Sequence, residues 1–208
     1  MSNPEVLAIL ERVGAIVTNS HLVYTSGKHG SSYVNKDALY PHTAETSSVC
    51  AIIANHFAAA NIEVVAGPTV GGVILTQWIA HHLSRLTNRE VLAVYSEEDT
   101  AHQRIFRRGY DELIPNRRVL IVEDVINTGG SARLVVAAAK ALGGMVVGLG
   151  ALCNRGNLTA ATLEVPELFA LVEAPMEAWN ASACPLCAAN VPINTRLGKG
   201  AAFVPATR

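Results

Sequence analysis

The chain has 208 residues, half of them hydrophobic, and a formal net charge of −1. This supports one ordinary-sized domain with a substantial core and gives no basic face for nucleic acid or an anionic membrane. No uncharged apolar run reaches the roughly 18 residues of a membrane span, and four cysteines are no disulfide framework, so a reducing cytoplasm is expected.

The opening MSNPEVLAILERVGAIV carries Glu5, Glu11 and Arg12 and lacks the basic start of a secretory signal. Asn3 can cap a helix with Pro4 at its first position, and PEVLAILERV has helical apolar spacing. HLVYT and SYVNK flank the turn SGKHGS and predict a hairpin. A helix over ETSSVCAIIANHFAAA follows, ending near Asn61. EVVAG is a buried strand, PTVGG its turn, VILTQWIAHHLSRL a helix and VLAVY a strand. The next stretch, Ser96 to Asn116, is long, polar and charged. RVLIVED is a strand, ARLVVAAAKAL a helix, and MVVGLGALCN and LFALVE are two further strands. From residue 61 onward the alternation predicts an α/β fold with a mostly parallel central sheet flanked by helices. The last 30 or so residues lose periodicity and read as a loose tail.

The junction VLIVEDVINTGGSA, Val119 to Ala132, carries the chemistry. Ligands of parallel sheets bind beyond the carboxyl ends of the strands. There, backbone amides of Thr128, Gly129, Gly130 and Ser131, two hydroxyls and the following helix N-terminus favour a phosphate monoester. Glu123 and Asp124 would repel that phosphate. They suit hydroxyl donors such as a ribose diol, or a divalent cation. Together the two halves describe a ribose 5-phosphate. Neither GxxxxGK[ST] nor GxGxxG is present.

VLIVEDVINTGGSA resembles the 5-phosphoribosyl-1-pyrophosphate (PRPP) motif of the type I phosphoribosyltransferases. The resemblance spans roughly residues 14 to 190 and is greatest to the orotate phosphoribosyltransferases. It implies one domain over 1–208: a small hairpin hood at about 14–45, a core at about 46–175 and a C-terminal tail at about 176–208. In AGPTVGG it implies a pyrophosphate loop, with Thr69, Gly71 and Gly72 joining Glu123, Asp124, Asn127 and the Thr128–Ser131 loop on PRPP. Ser96 to Arg108 resembles a lid that closes over PRPP, with Arg104 and Arg108 as catalytic candidates beside Glu123 and Asp124. Arg107 and His102 are also in reach. Orotate enzymes commonly have lysines in this loop and this chain has none, so the group that stabilises the leaving pyrophosphate stays open.

VYTSGKHGSSYVNKD resembles the hood over the base, with Lys28 as the first cation and Lys36 as the second. LCNRG places Arg155 at the same sheet edge, where the resemblance implies base binding; an arginine fork matches the carboxylate of orotate. Asn127, where threonine is common, also falls to the base. The implied activity is transfer of ribose phosphate from PRPP to orotate, with Mg²⁺ held mainly by PRPP and water, in a homodimer. A phosphoribosyltransferase for another base, or a PRPP-binding regulator without catalysis, stays open. Cys184 and Cys187, in CPLC, have metal-ligand spacing. One pair falls short of four ligands, so two reduced thiols are expected.

Overall fold

A computed structural model describes residues 4–24, 26–173 and 178–203. The cap Asn3, Thr25 of the hood turn, and residues 174–177 at the expected start of the tail lie outside the described residues.

Helix α1 (Pro4–Arg12) is followed by four two-residue strands, β1 (Ile16–Val17), β2 (Leu22–Val23), β3 (His29–Gly30) and β4 (Tyr33–Val34). Then come α2 (Thr43–Phe57), β5 (Val64–Pro68), α3 (Gly71–Thr87), β6 (Leu92–Glu98), β7 (Arg104–Ile105), β8 (Arg118–Ile126), α4 (Gly130–Ala141), β9 (Met145–Asn154) and β10 (Leu168–Glu173). The short helices α5 (Pro185–Ala188) and α6 (Gly200–Phe203) complete the order. The central sheet runs β10-β9-β8-β5-β6-β7. All its pairings are parallel except β6 with β7, which is the fold expected from the alternation.

Period-2 side-chain alternation divides the sheet's residues between two cores. Val119 and Ile121 pack with Val135, Val136 and Ala139 of α4. Leu120 and Val122 pack with α2 and α3 residues such as Ile53, Phe57, Leu75 and Ile79. Burial on both faces explains why β8 reads as a continuous apolar run.

Three expectations change. The hood is two nested antiparallel pairs, β2 with β3 inside β1 with β4. Val23 pairs with His29, within the expected turn, while Tyr33 returns to Val17. Two-residue strands carry too little alternation to fix register. The acidic pair lies inside β8, which continues to Ile126, because Val125 and Ile126 stay in register with Cys153 and Asn154 of β9. The tail, over its described residues, is tied down: Trp179 and His29 exchange two backbone hydrogen bonds of 2.8 Å, and Asn194 N donates to His21 O at 2.7 Å.

Candidate active site

β5 and β8 are parallel neighbours, so their carboxyl ends lie at the same end of the sheet. Residues Asn127 to Gly129 turn out of β8 with Gly129 at φ 74°, and α4 begins at Gly130. A small cavity there is lined by Glu123 and by Val125 through Ala132. It contains the expected Asn127, Thr128, Gly129, Gly130 and Ser131, and the first helical amides have no intrahelical acceptor.

Beside it, Thr69 leads into α3, which begins at Gly71. The two loops are tied by Arg104, whose guanidinium donates to Thr69 Oγ1 at 3.2 Å and Ser131 Oγ at 3.4 Å. Glu98 neutralises part of its charge at 3.7 Å. A Cβ at position 71 would overlap Asp124 Oδ2 and crowd the Tyr40 hydroxyl, so any residue but glycine there would displace the carboxylate. That hydroxyl donates to Gly71 O at 3.2 Å.

Glu123 and Asp124 are both buried. Lys36 Nζ sits 2.7 Å from Asp124 Oδ2. Burial pulls the Lys36 ammonium down, but the hydrogen bond and charge of Asp124, with Asp37 and Glu123, hold it above its ordinary value. Among the described residues, no cation pairs with Glu123 in the way that Lys36 pairs with Asp124. Burial, and then the charge of Asp124, push its carboxyl up to about 7, against hydrogen bonds from Asp124 N and Ser131 and the charge of Arg104. One carboxylate is thus neutralised by a lysine, and the other titrates near neutrality.

A second cavity, about 610 Å³, is lined by Tyr24, Ser26, Tyr33, Asn127, Arg155, Gly198 and Lys199. Asn127 belongs to both cavities, so the sites are contiguous. Arg155 is placed there by its own amide and that of Gly156, which donate to Ile126 O at 2.8 and 3.0 Å. Its guanidinium carbon lies 5.3 Å from the centre of the Tyr24 ring, a cation–π contact that orients the fork.

The expected cations divide. Arg155 lines the second cavity, and Arg104 reaches Ser131 at the margin of the first. Arg108 is exposed and paired with Glu97 at 2.8 Å, and His102 is exposed on Glu98. The expected lid is folded as a hairpin on the sheet edge, Glu98 opposite Arg104 and Glu97 opposite Ile105. Arg104 therefore lies within the short strand β7, whereas Arg108 follows it at φ 62°. Lys28 is exposed in the tight turn closed by Tyr24 N to Lys28 O at 2.8 Å and is absent from the cavity lining. Lys36 lies at the carboxylates instead of the second cavity because the 3₁₀ turn Lys36–Ala38 brings it beside β8. Sequence reasoning missed Lys199, which sits in an aperiodic tail, and the two tyrosines, which carried no motif.

Residues 35–167 match the phosphoribosyl transferase domain family. An orotate phosphoribosyltransferase of Desulforamulus reducens is 34% identical over 92% of this chain and 95% of its own length. One from Pelotomaculum thermopropionicum is also 34% identical, over the same shares. Mycobacterium tuberculosis H37Rv orotate phosphoribosyltransferase in complex with Fe(III) dicitrate superposes with a TM-score of 0.64 at 23% identity, covering 81% of this chain and 96% of that one. The same enzyme in complex with PRPP gives 0.59 at 21%, covering 83% and 90%. Those two likenesses show the shared fold.

Proposed function

The chain belongs to the phosphoribosyltransferase family, alongside the orotate phosphoribosyltransferases, and we propose that it transfers the phosphoribosyl group of PRPP to orotate, giving orotidine 5′-phosphate and pyrophosphate. The carrying observation is the pair of contiguous cavities. One is an anion loop beside two buried carboxylates; the other presents Arg155 and Lys199 to an anionic base.

The Thr128–Ser131 loop holds the 5-phosphate, and Glu123 and Asp124 accept from the ribose hydroxyls. Thr69, Gly71 and Gly72 line the pyrophosphate side, where Arg104 already bridges the loops. A ring nitrogen of orotate bonds to C1 of PRPP and releases its proton as the C1–O bond to pyrophosphate breaks. Arg155 and Asn127 orient the base, with Lys199 in the role expected of Lys28. Binding energy at the remote phosphate serves the reacting carbon through positioning.

Among the described residues, no cluster of three or more carboxylates could cage a cation. This donor set fits a hard ion such as Mg²⁺ that is held chiefly by phosphate oxygens and water, with Glu123 and Asp124 nearby. When bound, the ion neutralises charge on the leaving pyrophosphate. The Ser96–Arg108 hairpin acts as the lid, secured to β6 by two ladder pairs. A homodimer in the cytoplasm completes the reading. Among the described residues, no helix is long and apolar enough to cross a membrane.

The test is product formation with PRPP, Mg²⁺ and a panel of bases. Orotate is expected to react and uracil, which lacks only the carboxylate, to react far less. Transfer to adenine, guanine or xanthine but not to orotate would overturn the assignment.

A pH dependence follows from Glu123. Its carboxyl is raised to about 7, so the acceptor form that a diol needs is lost as pH falls through that value. PRPP affinity measured by calorimetry should rise between pH 6 and 8, with proton release on binding at the lower end. Part of the rise belongs to the ligand's own phosphate, whose second ionisation is near pH 6. The informative quantity is therefore the difference from Glu123→Gln, which should bind more weakly and with a shallower profile. Identical slopes in the two proteins would remove Glu123 from the diol.

A further inference from the structure

The hood and the tail meet at four side chains that the transfer reaction does not use. His21 Nε2 lies 2.8 Å from His29 Nδ1, and both cysteine sulfurs converge on them. Cys184 Sγ and Cys187 Sγ are each 3.6 Å from His21 Nε2, and Cys187 Sγ is 3.3 Å from His29 Nδ1. All four ligand atoms lie within 4.8 Å of one another. His21, His29 and Cys184 are buried at 2, 4 and 3% exposure. Some 155 residues of chain separate the histidine pair from the cysteine pair.

A hydrogen bond between the two rings accounts for one of these contacts. It does not account for two sulfurs converging on the same ring nitrogens. A common central atom does. For tetrahedral zinc, with Zn–N of about 2.0–2.1 Å and Zn–S of about 2.3 Å, ligand–ligand edges are roughly 3.3–3.8 Å, close to the S···N separations found. The tautomer is also set. His21 Nδ1 is 2.6 Å from Val191 O, so it carries the proton and donates, leaving Nε2 with its lone pair toward the cluster. Such an outer partner is what metal-bound histidines use.

We propose that His21, His29, Cys184 and Cys187 form a structural zinc site that clasps the hood to the C-terminal tail. Two thiolates and two neutral imidazoles carry a charge of −2, which Zn²⁺ cancels; binding releases the two thiol protons. Four protein ligands close the coordination shell, so the ion is structural. A mixed sulfur and imidazole set disfavours Mg²⁺ and Ca²⁺. In this proposal the two ligands that the cysteine pair lacks come from the hood histidines.

The clasp shapes the second cavity. Tyr24 and Ser26, on the β2–β3 hairpin, line one part of it; Gly198 and Lys199 from the tail line another. Lys199 N donates to Val23 O at 2.8 Å. The metal binds the two parts together whatever base they receive.

Elemental analysis of protein purified without a metal-binding tag is expected to give about one zinc per chain. Cys184→Ser and Cys187→Ser should each lose most of it. Exchange into Co²⁺ should produce the visible bands of a tetrahedral ion and a thiolate charge-transfer band. Should the serine variants fail to fold, His29→Cys keeps four ligands and should retain zinc, whereas His29→Ala should not. The proposal is overturned if the reduced wild-type protein takes up neither zinc nor tetrahedral cobalt, or if zinc content survives both cysteine substitutions. Neither readout depends on catalysis, so a failure of the orotate assignment would leave this test intact.

Discussion

Gly130→Asp is expected to lower PRPP affinity by roughly 100- to 1000-fold, on the order of one lost charge-assisted contact plus Coulomb repulsion. Position 130 opens α4 and lines the anion cavity. A side chain fits there without refolding, since the nearest atom to an added Cβ is Thr128 Oγ1 at 3.6 Å. A carboxylate at a helix N-terminus also favours the helix dipole. Thermal stability should therefore be kept while binding is lost, which separates repulsion from misfolding. Gly130→Asn, of similar shape and no charge, should lose much less. Calorimetry showing unchanged affinity in folded Gly130→Asp would take the 5-phosphate away from this loop.

Arg155→Ala should lower kcat/KM for orotate by about 10- to 1000-fold, taking a charged hydrogen bond in a partly closed site as roughly 1.5–4 kcal/mol. PRPP affinity should barely change, because Arg155 lines the second cavity and not the anion loop. Arg155→Lys should restore little. A lysine can neither reproduce the fork nor stack in the same way on Tyr24. If steady-state kinetics with Arg155→Ala show KM for PRPP rising and the orotate terms unchanged, the arginine serves the phosphate side and the base is held elsewhere.

The parts legible in the sequence were those with a strong local signal. β8 is apolar on both faces and runs into a loop with anion-binding composition, so strand, loop and helix could be placed from one segment. Arg155 was legible because it directly follows the end of a long strand beside β8. The remainder depended on contacts between distant segments. Lys36 is 88 positions from Asp124, and nothing in a 3₁₀ turn announces a partner on the central sheet. Arg104 and Arg108 looked equivalent as members of one basic stretch. Only the pairing of β7 with β6 separates the arginine over the site from the one in solvent. His21 and His29 carried no metal signature, because their spacing is not that of a zinc finger and their cysteine partners lie at the other end of the chain.

The short strand β7 has a consequence for solubility. An unpaired sheet edge is a template on which a second chain can add. Here β7 shields the outer edge of β6 only at Glu97 and Glu98. Were the hairpin to lift, as the proposed lid role requires, those residues would be laid bare. Two copies meeting edge to edge there would set carboxylates against carboxylates, an arrangement that opposes pairing. Opening of the proposed lid would thus uncover a stretch whose charge discourages aggregation.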